Sequence, residues 1–335
     1  MNILITGATG FIGARMAELF EANGDELILL GRLSTESEIR RGEHLSTLGL
    51  TIHDVDLTEQ DLIQYTRGVD VVIHLAAAQH EANKPESYFE KVNVGGTRSL
   101  LDAATSSGVR RFVYGSTIGV YGNIAELYVD DDFPTIPDNH YGRSKLRAEE
   151  VVLSYSNDLE VAIARISETY GPGDFRLLKL FSGIQKGVFF IIGRGNNLHQ
   201  LVYVDDLVRG IREMTTSAVL VSQIVVLAGN GVSSTREMCD CVSRAVGVPL
   251  RRLRLPMWPF LTVAFLLEQS LGRVGIQPPL HRRRLDFFRK SLSFSSIGRD
   301  ALLEWRPRIA FEEGALRTAE WYRDHSYLSS ADGPN

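Results

Sequence analysis

The stretch MNILITGATGFIG, Met1 to Gly13, decides the fold. Asn2 to Thr6 is a short apolar run bounded by glycine, the pattern of a buried parallel strand. Gly7, Gly10 and Gly13 follow at once, and a helical pattern runs from Phe11 to Asn23. A strand that passes through spaced glycines into a helix N-terminus is a phosphate cradle. The helix's free N–H groups and positive dipole end face a pyrophosphate, and glycine lets the backbone come close. The spacing is G-x-x-G-x-x-G rather than the commoner G-x-G-x-x-G. A glycine-rich turn without a ligand would share it, but its place between a first strand and a helix marks a dinucleotide site.

Outward from that stretch, strand and helix patterns alternate. Strands are expected at Glu26–Leu30, Leu50–Val55, Asp70–Leu75, Arg110–Ser116, Glu160–Ile166 and Gln223–Leu227. Helices are expected at Thr58–Arg67, Pro85–Thr105 and Tyr141–Ser156, and the segment after Arg32 reads as polar and mobile. Repeated βα units predict an α/β fold, a parallel sheet with helices on both faces and ligands at the carboxyl ends of the strands. The last third differs. Ser234 with Glu237 is a capping-box signature. A very apolar stretch, a basic and aromatic one (PPLHRRRLDFFRKSLSFS) and a final helix at Phe311–His325 follow.

The 335 residues suffice for one large domain or two interlocked ones. Hydrophobic residues are 44% and charged residues 23%, an ordinary globular composition. A net charge of −5 argues against a nucleic-acid partner. Cys239 and Cys241 form neither a disulfide framework nor a zinc set, so no metal is expected and the usage fits a reducing cytoplasm. No secretory leader is expected, since the first strand begins at residue 2. Leu255–Leu267 is broken by Pro256 and Pro259 and is too short to span a bilayer, which takes about 20 residues.

NAD-binding folds usually place an acid about 20 residues past the glycines to hold the ribose 2′-hydroxyl. Here the second strand ends at Gly31-Arg32, with no acid beside it. A guanidinium there suits a 2′-phosphate, so NADP is favoured and NAD is the alternative. Tyr141 and Lys145, four apart on an expected helix, share one face. An ammonium beside a phenol favours the phenolate, and a tyrosine so tuned can exchange a proton with a carbonyl or alcohol oxygen. Thr117, past the fifth strand, adds a hydroxyl for the same oxygen.

GATGFIG, HLAA (His74–Ala77), NVGGT (Asn93–Thr97), Ser116-Thr117 before Val120-Tyr121-Gly122, YGRSK (Tyr141–Lys145), YGPGD (Tyr170–Asp174) and YVDDL (Tyr203–Leu207) occur in that order. Together they resemble the extended short-chain dehydrogenases/reductases of the NAD-dependent epimerase/dehydratase group, over nearly the whole chain. The resemblance implies a seven-stranded Rossmann sheet with a small C-terminal substrate domain. The cofactor domain would be residues 1–166 plus about 200–229. The substrate domain would be 167–199 plus 230–328, with a tail at 329–335. It implies catalysis by Thr117, Tyr141 and Lys145. It also implies cofactor contacts from Gly7, Gly10, Phe11, Ile12, Gly13, Arg32, Asp56, Leu57, Ala76, Ala77, Asn93, Tyr141, Lys145 and Ile166. A homodimer joined by the two long helices is implied as well.

Two departures bear on the substrate. Sugar-nucleotide members of the group commonly carry Arg-x-x-Asn at the end of the sixth strand, whereas this chain has Arg165-Ile166-Ser167-Glu168. An arginine often precedes the Tyr-Val-Asp-Asp by four residues, and here that place holds His199. A carboxylate repels a diphosphate, and neutral histidine is a poorer anion clamp. Trp258, Phe260, Phe265, Leu266, Leu267, Phe287 and Phe288 give an apolar C-terminal lobe resembling the steroid-dehydrogenase-like branch. Arg282, Arg283, Arg284, Arg289 and Lys290 read as a solvated helix face, with an anionic lipid or a substrate carboxylate as the alternative partner. The expectation is therefore an oxidoreductase interconverting a ketone and a secondary alcohol on a hydrophobic substrate. The alternative is a sugar-nucleotide epimerase, dehydratase or reductase.

Overall fold

A computed structural model describes residues 1–59, 61–79, 84–124, 128–251, 254–271 and 285–329. Seven strands form one parallel sheet: β1 (Asn2–Thr6), β2 (Glu26–Gly31), β3 (Ile52–Asp54), β4 (Val71–His74), β5 (Arg111–Thr117), β6 (Glu160–Ile166) and β7 (Gln223–Leu227). Their order is β7-β6-β5-β4-β1-β2-β3. The chain winds outward from β1 to β3, then returns to the other side of β1. The direction of winding thus reverses between β1 and β4, which opens a crevice at their carboxyl ends.

The alternation of strand residues explains why both faces are covered. Ile3 and Ile5 enter one apolar cluster with Val71, Ile73 and Val113. Leu4, Val72 and Phe112 enter another, on the opposite face. On the first face lie α1 (Phe11–Glu21), α2 (Glu36–Thr47) and α5 (Val204–Thr216), through Met16, Leu45 and Ile211. On the second lie α3 (Gly96–Ser106) and α4 (His140–Ser154), through Leu100, Leu101, Val151 and Val152. A strand buried on both sides must be apolar at every position, which is why these runs are continuous.

The segment after Arg32 corrects the expectation of a polar, mobile stretch, because most of it is α2. Thr35 caps this helix in a capping box, its hydroxyl accepting from the Glu38 N–H while Glu38 accepts from the Thr35 N–H at 2.8 Å. The same signature was legible at Ser234-Glu237, where it starts α6 (Thr235–Val246) as expected. The expected helix over Pro85–Thr105 is helical in three parts: Glu86–Phe89, a π-helical turn at Glu90–Gly95, and α3.

A third apolar cluster joins Tyr170, Phe181 and Tyr203 to Met238, Cys239 and Val242 of α6 and to Ala315, Ala319 and Tyr322 of the last helix, Phe311–Asp324. The YVDDL motif ties this part to the sheet. Asp205 takes a two-pronged bond from Arg15 at 2.6 and 3.1 Å. Buried Asp206 accepts from the backbone N–H groups of Arg308 and Ile309. Burial pushes the Cys239 thiol up to about 12, so it behaves as a core residue. The apolar stretch forms the helix Met257–Leu271, with Trp258 71% exposed and Phe265 and Leu266 exposed beside it. No helix among the described residues is long and apolar enough to cross a membrane. Arg282–Arg284 and residues 330–335 lie outside the described residues.

Candidate active site

The glycine turn sits at the winding reversal. Gly7 has φ +71°, and a Cβ there would stand 2.8 Å from the Ala76 nitrogen, so only glycine lets the β1 and β4 loops close on each other. A Cβ on Gly13 would stand 2.2 Å from the Gly7 oxygen, so the first turn of α1 lies directly on the strand end. No side chain caps α1, leaving the N–H groups of Phe11, Ile12 and Gly13 for an anion. These features fit a dinucleotide pyrophosphate.

At the outer end, Arg32 is exposed and its charge acts on Asp56. Bonds from the Thr58 N–H, above all, hold the Asp56 carboxyl below its usual range against its partial burial, and Arg32 adds to this. A second cation, Arg41 on α2, was not singled out from the sequence. Its guanidinium donates to the Gly173 oxygen at 3.2 Å and the Thr9 oxygen at 3.4 Å, bridging the glycine turn and the YGPGD loop. The Thr35-x-x-Glu38 box was the signal that would have placed it on a helix.

On the other side of the crevice, Tyr141 and Lys145 lie one turn apart on α4, whose first turn is capped by Asn139 accepting from the Gly142 N–H at 2.9 Å. A Cβ on Gly142 would stand 2.7 Å from the Gly119 oxygen, so the Tyr141 end of α4 rests on the turn that follows Thr117. Thr117 closes β5 and its hydroxyl accepts from the Gly119 N–H at 3.1 Å. The structure thus brings Thr117, Tyr141 and Lys145 to one end of the sheet. Lys145 is buried. Its Nζ donates to the Gly115 oxygen at 2.7 Å and stands 4.0 Å over the Tyr114 ring. Burial pulls its pKa down to about 7, opposed by Glu149. Glu149 is itself bound to Arg165 at 2.8 Å behind the sheet end.

Asn93 lies in the π turn, the kind of local insertion that aims a side chain. Its Oδ1 accepts from the Ala78 N–H at 2.7 Å, and its Nδ2 donates to the Ala78 oxygen at 3.0 Å and to Ser144 Oγ at 2.9 Å. All its polar atoms are engaged within the protein, so Asn93 joins the loop after β4 to the helix carrying Tyr141 and Lys145. His74 extends this framework. Thr97 donates to the Asn93 oxygen at 2.6 Å, so the His74 Nε2–H donates to Thr97 at 2.9 Å. Nδ1 then accepts from Thr6 Oγ1 at 2.6 Å, and Thr6 Oγ1 accepts from the Ala76 N–H at 3.2 Å. One-way donation from Ala76 to Asn93 requires a neutral ring, and burial with the nearby Lys145 charge pulls His74 down to about 3.

Glu168 and His199, read from the sequence as separate departures, touch. His199 Nδ1 and Glu168 Oε2 are 3.3 Å apart. Phe287 from the apolar lobe packs on the His199 ring, with centroids 4.8 Å apart. The structure does not bring Leu57 and Ile166 together: Ile166 Cδ1 stands 3.4 Å from where a Gly115 Cβ would be and packs on the α1 face, while Leu57 lies against Gly96 on the α3 face.

Together these define a class: a Rossmann-type protein with a dinucleotide cradle facing a tyrosine–lysine pair. The family model for the NAD dependent epimerase/dehydratase family matches residues 3–228, and the chain belongs to that family. It is 30% identical over 341 residues to a dTDP-glucose 4,6-dehydratase of Streptomyces antibioticus, spanning 97% of this chain and 93% of the relative. It is 32% identical to the N-acetyl-alpha-D-glucosaminyl-diphospho-ditrans,octacis-undecaprenol 4-epimerase of Escherichia coli, over 63% of this chain and 62% of that one. Among solved structures, a double mutant of the dTDP-glucose 4,6-dehydratase from Streptomyces venezuelae, with NAD bound, superposes with a TM-score of 0.75 at 26% identity. It covers 97% of both chains.

Proposed function

We propose that this protein is an NAD-dependent enzyme that oxidises a sugar hydroxyl on a diphosphate-linked sugar, in the manner of an epimerase or dehydratase. The expectation of a sterol-like ketone as substrate gives way to this alternative, because relatives matched over nearly the full chain act on nucleotide sugars. The observation that carries the reading is the placement of Tyr141 and Lys145 on α4 opposite the Gly7–Gly13 cradle.

In this reading Gly7, Gly10, Phe11, Ile12 and Gly13 hold the pyrophosphate. Asp56, Leu57 and Arg32 flank the adenosine, while Ala76, Ala77 and Ile166 line the cleft towards the nicotinamide. NAD is preferred to NADP, since the similar dTDP-glucose 4,6-dehydratase structure from Streptomyces venezuelae holds NAD. When bound, the cofactor takes up and returns hydride. Tyr141 removes the proton of the reacting hydroxyl and gives it back. Lys145 stabilises the phenolate, and Thr117 holds the oxygen. Asn93 and His74 keep the β4 loop and α4 in register. The division into a cofactor domain and a C-terminal substrate domain, and a homodimer, belong to the same proposal.

The exposed Trp258, Phe265 and Leu266 favour a second reading, in which the sugar is carried on a lipid diphosphate at a membrane surface. The purified protein should contain nicotinamide dinucleotide and convert UDP- or dTDP-glucose, followed by chromatography. Tyr141→Phe should lower kcat by roughly 10²–10⁴-fold while retaining cofactor. Turnover confined to lipophilic ketones with NADPH would reverse the reading.

A further inference from the structure

The helix Met257–Leu271 is apolar on two sides. Met257, Phe260, Leu261 and Ala264, at helical spacing, pack with Ile192, Leu285 and Phe288 into a small cluster. Trp258, Val263 and Leu266 face the other way and are exposed. Thr262, Gln269 and Ser270, exposed beside them, are uncharged, and Glu268 is the helix's single charged residue. The last helix, Phe311–Asp324, differs: its exposed positions include Glu312, Glu313, Arg317 and Glu320. A helix that faces water carries charge on its outer side. Met257–Leu271 instead presents hydrocarbon and an indole, the side chains of a bilayer interface.

Cations surround that face. The short strands Ile191–Ile192 and Arg254–Leu255 pair just before the helix. At one end of this pair Lys186 and Arg251 are exposed, and a Cβ on Gly187 would stand 3.5 Å from Arg251 Nε. At the other end the Gly193 N–H donates to the Leu255 oxygen at 2.8 Å, and a Gly193 Cβ would stand 3.6 Å from Met257 Cε. Exposed Arg194 therefore follows at the start of the helix. Arg289 is exposed directly after Phe288, whose ring stacks on Phe189 with centroids 6.3 Å apart. None of these four is in an ion pair among the described residues, whereas Lys290 is held by Asp138 and Asp286. Residues 251–290 hold nine lysines and arginines against two acids, in a chain of net charge −5, so the rest of the molecule is acidic.

This charge pattern selects the occupant. A second copy on a two-fold axis would set the patch against itself, cation against cation. An anionic bilayer offers hydrocarbon to Trp258 and Leu266 and negative headgroups to the cations. It also repels the acidic remainder, which orients the molecule. We propose that the outward face of Met257–Leu271, with Lys186, Arg194, Arg251 and Arg289 around it, docks on an anionic lipid bilayer, the helix lying in the plane of the interface. Phe288 of the cluster meets Phe287 with centroids 5.1 Å apart, and Phe287 packs on His199, so two rings join the docked face to the cleft. The proposal deepens the reading of a lipid-carried sugar, but docking is read without turnover, so the two fail separately.

The test is sedimentation of the full chain with vesicles of phosphatidylcholine alone, or with about one-third phosphatidylglycerol, at low and at raised salt. Wild type should bind the anionic vesicles at least about tenfold more tightly than the neutral ones and lose that margin as salt rises. Trp258→Ser/Leu266→Ser should weaken binding by at least about tenfold, the effect of withholding two large apolar side chains. Lys186→Gln/Arg194→Gln/Arg251→Gln/Arg289→Gln should abolish the preference for anionic vesicles and leave the cofactor content unchanged. Equal binding by wild type and the Trp258→Ser/Leu266→Ser variant, or no preference for anionic vesicles, overturns the proposal. So does a wild type that dimerises through Trp258 and stays off the vesicles. If the vesicles bind as expected but no lipid-linked sugar is converted, the docking stands and the lipid-carried reading falls.

Discussion

His74 and His199 are both buried, and each has both ring nitrogens hydrogen-bonded. They differ in what stands at the end of the chain of bonds. At His74 the chain starts on a backbone N–H and ends on a backbone carbonyl, so the ring needs one proton and its charged form is driven out. At His199 one end is the carboxyl group of Glu168 and the other the hydroxyl of Thr235. Histidine has no fixed electrostatic character of its own, and the neighbours' inventory of donors and acceptors sets it. The first network is a neutral brace beside Lys145. The second joins a buried ring to a half-exposed carboxyl group.

The largest expected effect tests why His74 must stay neutral. Lys145 titrates near 7 in the folded chain against 10.5 unfolded, so the unfolded chain binds more protons between those values. Its burial penalty is fully present below about pH 7 and fades as pH rises towards 10.5. Lys145→Met should abolish turnover yet stabilise the cofactor-free protein at pH 7 and below, on the order of 3 kcal/mol. The gap in denaturant midpoint should narrow towards pH 10. A variant less stable than wild type at pH 7 would mean that the bond to Gly115 outweighs the burial.

Next comes the brace. His74→Leu leaves Thr6 and Thr97 each short of a buried partner, at a cost of about 2–3 kcal/mol in equilibrium unfolding. Because the folded pKa is about 3 against 6.5 unfolded, wild-type His74 contributes stability that is lost as pH falls from 6.5 towards 3. The variant should lack that part of the acid slope, and an identical slope would remove the neutral assignment.

A smaller effect is expected at the second histidine. Thr235→Val removes the hydroxyl that bonds both His199 Nε2 and Asn197 Oδ1, costing about 1–2 kcal/mol in thermal unfolding. No loss would mean that these bonds contribute nothing net to stability. The smallest is at Arg32. It is exposed and no ion pair holds it among the described residues, so Arg32→Ala should change the Kd for NAD by less than about threefold. A much larger rise in the NADPH constant would restore the 2′-phosphate reading.

Much of the first network's surroundings was legible from residue order. Spaced glycines after β1 name their conformational need, and Tyr141 and Lys145 share a helix face by spacing alone. The seven strands were legible because burial on both sides keeps most of their positions apolar, with polar residues such as Thr6 and His74 at their ends. α2 was not, since only Gly42 and Leu45 of it are buried and few apolar residues mark its inner face, and its capping box was the signal that went unread. Arg41 was lost with it. The apolar lobe was read as a substrate pocket, yet part of it packs against His199 while Trp258 faces outward.

By itself, the sequence determined the parallel sheet, the dinucleotide cradle and the tyrosine–lysine face, because each depends on neighbours within a few residues. Tertiary structure decided the rest. Glu168 and His199 looked like two independent losses of an anion site because they lie 31 residues apart. Whether a carboxylate and an imidazole cancel, share a proton or stand alone depends on distance and on which donors are already spent. Those are facts of packing between β6, the loop before α5 and the first turn of α6.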